Sequence, residues 1–348
     1  MKRFLMAIMV LSLICGAFGA AFADVVGGGT GQTRDILLME EYADTEVEDQ
    51  SVNANVTPGV LNAVSLYNYD FGVKLTADKP DGLYTVGDRI VFSVTSEEDA
   101  YLTLLDFTPS GQIVVLYPNA WVEDNSVKAG ETVVIPMGET EYSLRAVGPV
   151  GVDVVKAIFT NKPVQVFDED AKDVVGPFSV LKDPIAATRD ILMMAEPAVS
   201  VADDPDPTDE VRWSVASFAV MTNDVGNEGA TGFAVVGDEG SRVAMWANRN
   251  TFLVGERVFL KFLSDKAGSL VSLVNAGASS KENDLLPDGE SLTFAAGEVL
   301  TLPRADDRWK LVAAEDTGDD AVIAKIRLED GTEFDIAIKL IVNNDLEG

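Results

Sequence analysis

The ten residues TVGDRIVFSV, from Thr85 to Val94, return 168 positions later (253 minus 85) as LVGERVFLKF, from Leu253 to Phe262. Downstream, KAGETVVIP (Lys128 to Pro136) meets AAGEVLTLP (Ala295 to Pro303), and YSLRAV from Tyr142 meets WKLVAA from Trp309, both at an offset of 167. An offset that holds within a residue or two over such a stretch marks a duplicated folding unit, because a chance motif does not keep its spacing. A shorter echo lies upstream: TRDILLMEE from Thr33 and TRDILMMAE from Thr188, offset by 155. The distance from that threonine to the repeated glycine is 54 residues in the first copy (87 minus 33) and 67 in the second (255 minus 188). An insertion of that difference is expected in the second copy, within EPAVSVADDPDPTDEVRW or TNDVGNEGATG. If each unit begins near its TRDIL segment, the units are 24–187 and 188–348.

Within a unit the apolar period is two. Ile90, Phe92 and Val94 fall on one face of a strand, and Val258, Leu260 and Phe262 fall on the same face in the second copy. Further strands are expected at Tyr101 to Phe107, Gln112 to Tyr117, Thr132 to Ile135, Tyr142 to Val147 and Val154 to Thr160, with turn chemistry between them in TPSGQ, EDNSVKAGE and GPVG. Short strands at this spacing predict an all-β chain: a tandem duplication of an antiparallel β-sandwich-like domain with few short helices. Gly87 and Gly255 are expected where a turn needs positive φ or has no room for a side chain.

The segment Tyr84 to Pro163 resembles domain of unknown function family 4384. It has the Y-x-V-G-D start, a Y-L strand, a glycine turn into Leu116-Tyr117-Pro118-Asn119, an A-G-E, an I-P and a G-P-x-G before a last strand. The second copy, at about 251–330, resembles the family in a degenerate form. It keeps Val254-Gly255-Glu256, Ala296-Gly297-Glu298 and Leu302-Pro303, has Leu286-Pro287-Asp288 in place of the L-Y-P-N corner, and lacks the G-P-x-G. The resemblance implies a β-rich accessory or binding module of exported bacterial proteins, and it brings no catalytic residues to carry over. If the corner contacts a partner, the second copy has lost that contact and serves as a spacer or a second surface.

The chain opens MKRFLMAIMVLSLICGAFGAAFADVV: two cations, an apolar run from Phe4 to Phe18, then Ala21-Phe22-Ala23. This is the layout of a secretory signal peptide cleaved after Ala23, and the run is short for a membrane span, so no integral span is expected in the mature chain. A lipid-anchored Cys15 is the rival reading, and Ile14 argues against it because a small residue is expected before such a cysteine. Removal of 1–23 takes the only Cys together with Lys2 and Arg3, moving the net charge from -31 to -33. The mature chain then has no thiol for a disulfide. The balance of 57 acids against 26 bases repels polyanions, so nucleic acid and bare anionic lipid are poor partners.

The chain has no His. Ser-His-Asp and Cys-His catalysis, the H-E-x-x-H zinc site and cysteine-based metal sites are therefore excluded. The glycine-rich Gly27 to Thr33 lacks the phosphate-loop lysine and reads as a leader. Ser179 and Lys182 fit S-x-x-K without the companion motifs of that chemistry. A carboxylate-pair hydrolase would need two buried acids in a cleft. Asp204, Asp206 and Asp209 in DDPDPTDE have spacings a calcium loop uses, but the prolines and the missing glycine favour a solvated acidic linker. EDTGDD (Glu315 to Asp320) and DEDAKD (Asp168 to Asp173) read as charged turns. No cofactor, metal or catalytic residue is assigned.

One surface candidate remains, the corner LYPNAW. Tyr117, Asn119 and Trp121 form an aromatic and amide patch of the kind that grips sugar or peptide, unless the two rings pack across the sandwich and Asn119 holds a turn. The expected role is non-catalytic: an exported protein of the periplasm or cell surface that contacts another envelope or extracellular protein. The alternative is a calcium-dependent or carbohydrate-binding adhesin.

Overall fold

The structure, a computed structural model, describes residues 36–40, 71–137, 142–148, 150–167, 169–183, 211–224, 232–238, 240–276, 282–287, 291–305, 307–314 and 318–344. The signal-peptide segment, the second TRDIL segment and the acidic stretch Asp203 to Glu210 lie outside the described residues, as does most of the expected insertion.

The chain is almost entirely strand. It begins with β1 (Ile36–Glu40), β2 (Val73–Ala77), β3 (Leu83–Thr85), β4 (Arg89–Ile90), β5 (Phe92–Ser96), β6 (Ala100–Phe107) and β7 (Ile113–Tyr117). It continues with β8 (Ser126–Val127), β9 (Thr132–Ile135), β10 (Leu144–Arg145), β11 (Gly151–Thr160), β12 (Lys172–Val175), β13 (Phe178–Leu181) and β14 (Trp213–Asn223). The second half contains β15 (Phe233–Asp238), β16 (Ser241–Ala247), β17 (Thr251–Leu253), β18 (Arg257–Val258), β19 (Leu260–Ser264) and β20 (Gly268–Ala276). It ends with β21 (Glu282–Asp284), β22 (Leu292–Phe294), β23 (Val299–Leu302), β24 (Trp309–Ala313), β25 (Gly318–Leu328) and β26 (Glu333–Asn343). Among the described residues the helical element is a 3-10 turn at Glu169–Ala171. Two expected charged turns are partly strand: Lys172 opens β12, and Gly318 to Asp320 open β25. Of the expected strand Tyr142 to Val147, only Leu144–Arg145 form a ladder, against β4.

The duplication is visible pairing by pairing. The sheet β2-β5-β9 has its counterpart in β16-β19-β23, the pair β4-β10 in β18-β24, and the order β14-β11-β6 in β26-β25-β20. The parallel contact recurs too: Leu83 of β3 is level with Met221 of β14, and Thr251 of β17 with Ile341 of β26. In the second half a turn at Glu329–Thr332 joins the last two long strands directly. In the first half the hairpin β12-β13 intervenes, and its inner strand pairs with β7. The closing strand of the first sandwich is thus β14, which lies past residue 188. The first TRDIL segment, conversely, continues into β1, which pairs with β24 of the second sandwich from Ile36↔Ala313 to Glu40↔Trp309. Both pairings cross the division expected at 187 and 188.

The sheets stack in layers. Phe92, Val94, Leu102, Leu104, Val155 and Phe159 fill the first sandwich, and Leu260, Phe262, Leu273, Ile326, Ile338 and Leu340 fill the second. A third cluster lies between the two sandwiches: Phe107, Ile113, Val154, Ile158 and Met221 meet Phe233, Ala244, Trp246, Leu263 and Val299. The large central sheet is therefore covered on both faces. That explains the unbroken apolar run of β7, buried at all five positions, whereas the outer strand β26 alternates buried and exposed residues. Polar contacts stitch the same seam. The Arg242 guanidinium lies 3.8 Å from the Phe218 ring centroid and donates from Nη2 to the carbonyl of Ala219 at 3.1 Å.

The repeated motifs are turn devices. Gly87 and Gly255 have φ of 99° and 88°, and a Cβ at either would meet nothing within 4 Å, so the need is for conformation and not for space. Each donates its N–H at 2.8 Å, to Ala146 and Ala313 respectively. The acid that follows closes the turn: Asp88 Oδ2 accepts from the Thr85 N–H at 3.0 Å, and Glu256 Oε2 from the Leu253 N–H at 2.8 Å.

Candidate functional site

The corner after β7 is built around Asn119, which is buried. Its Nδ2 donates to the Leu116 carbonyl at 2.9 Å and to Tyr142 Oη at 3.1 Å. Its Oδ1 accepts from the backbone N–H of Trp121 at 3.0 Å and of Val122 at 3.2 Å. With both amide atoms engaged, Asn119 holds the turn. Tyr117 is fully buried and precedes a cis bond to Pro118. Its hydroxyl donates to the Asp124 carbonyl at 2.5 Å, and burial, aided by Asp124 and Tyr142, pushes its pKa up to about 12. Of the three residues singled out in the sequence, only Trp121 offers surface, at 41% exposure.

Trp121 is not a loose ring. It stacks on Tyr142 with centroids 5.0 Å apart and planes 27° apart, and Tyr142 meets Phe178 edge-on at 5.5 Å. Phe178 opens β13 opposite Val175 of β12. The Ala120 N–H donates to the Pro177 carbonyl at 3.0 Å, fastening the corner to the hairpin turn. The aromatic ladder thus leads from the corner to β12, which among the described residues is an outermost strand of the central sheet. Val174 and Val175 on that strand are 75% and 47% exposed. Sequence reading passed over them because they follow a charged stretch. The signal that marks them is two valines before Gly176-Pro177, a strand running into a tight turn.

A pair of acids also emerges inside the first sandwich. Asp106 of β6 is level with Val155, and Asp153 lies two residues from Val155 on the same face of β11. Both line a cavity of about 30 Å³ together with Leu116, Leu144 and Thr222. Asp106 is 4% exposed and its Oδ1 has no hydrogen-bond partner among the described residues. Burial raises the pKa of both carboxyls, and Asp106 raises Asp153 further. A space of this size holds about one water and admits no sugar ring. Among the described residues no group of three or more metal-ligating side chains occurs.

The corner lies within a recognisable family segment. Residues 83–163 match the family described as Domain of unknown function (DUF4384). The DUF4384 segment runs from β3 to just past β11, so it holds Tyr117, Asn119 and Trp121, while β12 and β14 follow it. No curated protein matches the chain. Among solved structures, the PmoD soluble domain from Methylocystis sp. is similar at 10% identity and a TM-score of 0.21, over 33% of this chain and 98% of that one. Fibronectin(III)-like modules of Clostridium thermocellum CbhA match at 11% identity and a TM-score of 0.18, over 79% and 97%. The Yersinia pseudotuberculosis adhesin InvE matches at 8% identity and a TM-score of 0.18, over 78% and 60%. Likenesses this weak carry no argument about fold or activity.

Proposed function

We propose that the protein is a non-catalytic accessory module of the bacterial cell envelope that docks another protein by strand addition along β12. The observation that carries this reading is the outer strand itself. Sheet edges are ordinarily blunted by charge, proline or cover. Here Val174 and Val175 stand exposed on β12, the outermost strand of that sheet among the described residues, with Val175 level with Phe178 of the aromatic ladder and Val174 facing the other side of the sheet. An extended segment of a partner, with apolar residues at alternate positions, fits that edge: main-chain bonds supply affinity, and the valines and the indole select side chains. The first sandwich presents the surface, and the second, sharing the seam core, supports it. Export follows from the signal-peptide reading of residues 1–23, and no described helix is long and apolar enough to cross a membrane.

The test is photo-crosslinking in the envelope of the producing cell, with a benzophenone amino acid in place of Trp121. A single protein adduct is expected, and Val174→Asp, which leaves the fold intact because its side chain is solvated, is expected to abolish it. An adduct pattern indifferent to Val174→Asp would sink strand addition at β12.

A further inference from the structure

We propose that the cavity on the seam between the two sandwiches is a binding site for a small organic carboxylate, held by Lys261. The cavity has a volume of about 370 Å³ and is lined by Pro109 and Gly151 from the first half and by Trp246, Asn248, Asn250 and Lys261 from the second. That volume lies within the usual range of small-molecule sites, about 300–1,000 Å³.

Lys261 sits on β19 directly opposite Trp246 of β16. It faces the seam because its neighbours Leu260 and Phe262 point into the second sandwich, while Leu263 joins the seam core. Its ammonium has no hydrogen bond, ion pair or ring contact among the described residues. Burial lowers its pKa, and no carboxylate offsets the effect. In a chain with 57 acids and 26 bases, an ammonium without an acid beside it is a departure that needs a cause. Among the described residues no acid lines this cavity. Lys261 is partly buried, and a charge withdrawn from water is costly unless it is paired, so a site of this kind is completed by an anion from outside.

The donor set selects the anion. Arg249, the other cation at the rim, already bonds Glu256 Oε1 from Nη1 at 3.0 Å. Asn248 Oδ1 is engaged by the Phe259 N–H at 2.8 Å, which turns its Nδ2 into the available end. One ammonium and neutral amide donors match a monoanion with an apolar or hydroxylated body, and do not match a dianion that calls for several cations. The carboxylate can belong to a uronic acid or to a peptide C-terminus, and the probes separate these. This site is independent of the β12 edge, so either reading can fail alone.

The experiment is isothermal titration of the full chain at constant ionic strength with sodium glucuronate, N-acetylglycine, sulfate and phosphate. Saturable binding of a carboxylate is expected, about tenfold or more weaker in Lys261→Met and retained in Lys261→Arg. Glucuronate alone would assign the site to acidic polysaccharide, and N-acetylglycine alone to a peptide end. Should Lys261→Met not fold, the ammonium ¹⁵N resonance of Lys261, assigned through Lys261→Arg, is expected to move during the same titration. Absence of binding by both carboxylates, equal or tighter binding of phosphate or sulfate, or a Lys261 resonance that stays still would overturn the proposal.

Discussion

Lys156 reaches across the seam to donate from Nζ to the carbonyl of Gly297 at 2.9 Å, while Ser217 Oγ lies 3.1 Å from the same nitrogen. The side chain is fully buried, and burial lowers its pKa to about 7, with Glu298 acting in the opposite sense. An unfolded lysine titrates near 10.5, so between about 7 and 10.5 the unfolded chain holds more protons and stability from this group rises with pH. Below about 7 its cost is fully present. Denaturant midpoints of the wild type are therefore expected to climb across that window relative to Lys156→Met. Parallel profiles would refute the assignment.

The Asp106 and Asp153 pair works with the other sign. Carboxyls whose pKa is raised on folding stay protonated after the unfolded chain has ionised, so they cost stability as pH rises above the ordinary aspartate value of 3.8. Asp106→Asn is expected to stabilise the protein at neutral pH by at least about 1 kcal/mol and to change little near pH 4. Urea unfolding at the two pH values decides it, and a loss of stability at neutral pH would show that the carboxylate has a partner worth keeping.

Tyr117 and Trp121 are four residues apart and are expected to answer differently to truncation. Tyr117→Ala empties a buried site and removes the bond to Asp124, for a loss of about 3–5 kcal/mol. Trp121→Ala surrenders one stacked contact, worth about 1 kcal/mol. Thermal melts of the two variants test the difference, and near-equal losses would mean that the indole belongs to the core.

Glycine substitutions separate conformation from space. Gly82 has φ of 68°, and a Cβ there would lie 2.4 Å from the Ala219 carbonyl oxygen, where β3 meets β14. Gly87 has open space around it. Gly87→Ala is expected to cost about 1–2 kcal/mol, the penalty of a left-handed residue, and Gly82→Ala more than that. Chemical denaturation gives the order, and a reversed order would place the close approach elsewhere.

The all-β class was legible because the period-two positions Ile90, Phe92 and Val94 and their repeats are local features. The seam was not. Pattern reading assumes one wet face per strand, and β6, β7, β11 and β14 are dry on both, so their apolar runs carry no alternation from which to learn that a second sandwich lies against them. The signal that was available is a lone charge inside an apolar strand: Asp106 in LLDF, Lys156 in VVKAIF and Lys261 in FLKFL. Each proves to be a buried or partly buried group with a perturbed pKa. At the corner, chemistry named the residues, but only packing could divide them into Tyr117 and Asn119, which are spent on the turn, and Trp121, which is not. The division of units drawn from the TRDIL echo assumed that a segment folds with the copy it precedes, and β1 and β14 pair without regard to that order.

The placement of β1 has a mechanical meaning. β1 and β26, near opposite ends of the chain, both belong to the second sandwich, so the first sandwich lies inside a loop closed by the ladder between β1 and β24. Tension applied between residue 36 and residue 343 is borne by that ladder and by the second sandwich. The first sandwich, with its DUF4384 corner and the β12 strand that follows that segment, carries no load until the clasp is pulled apart.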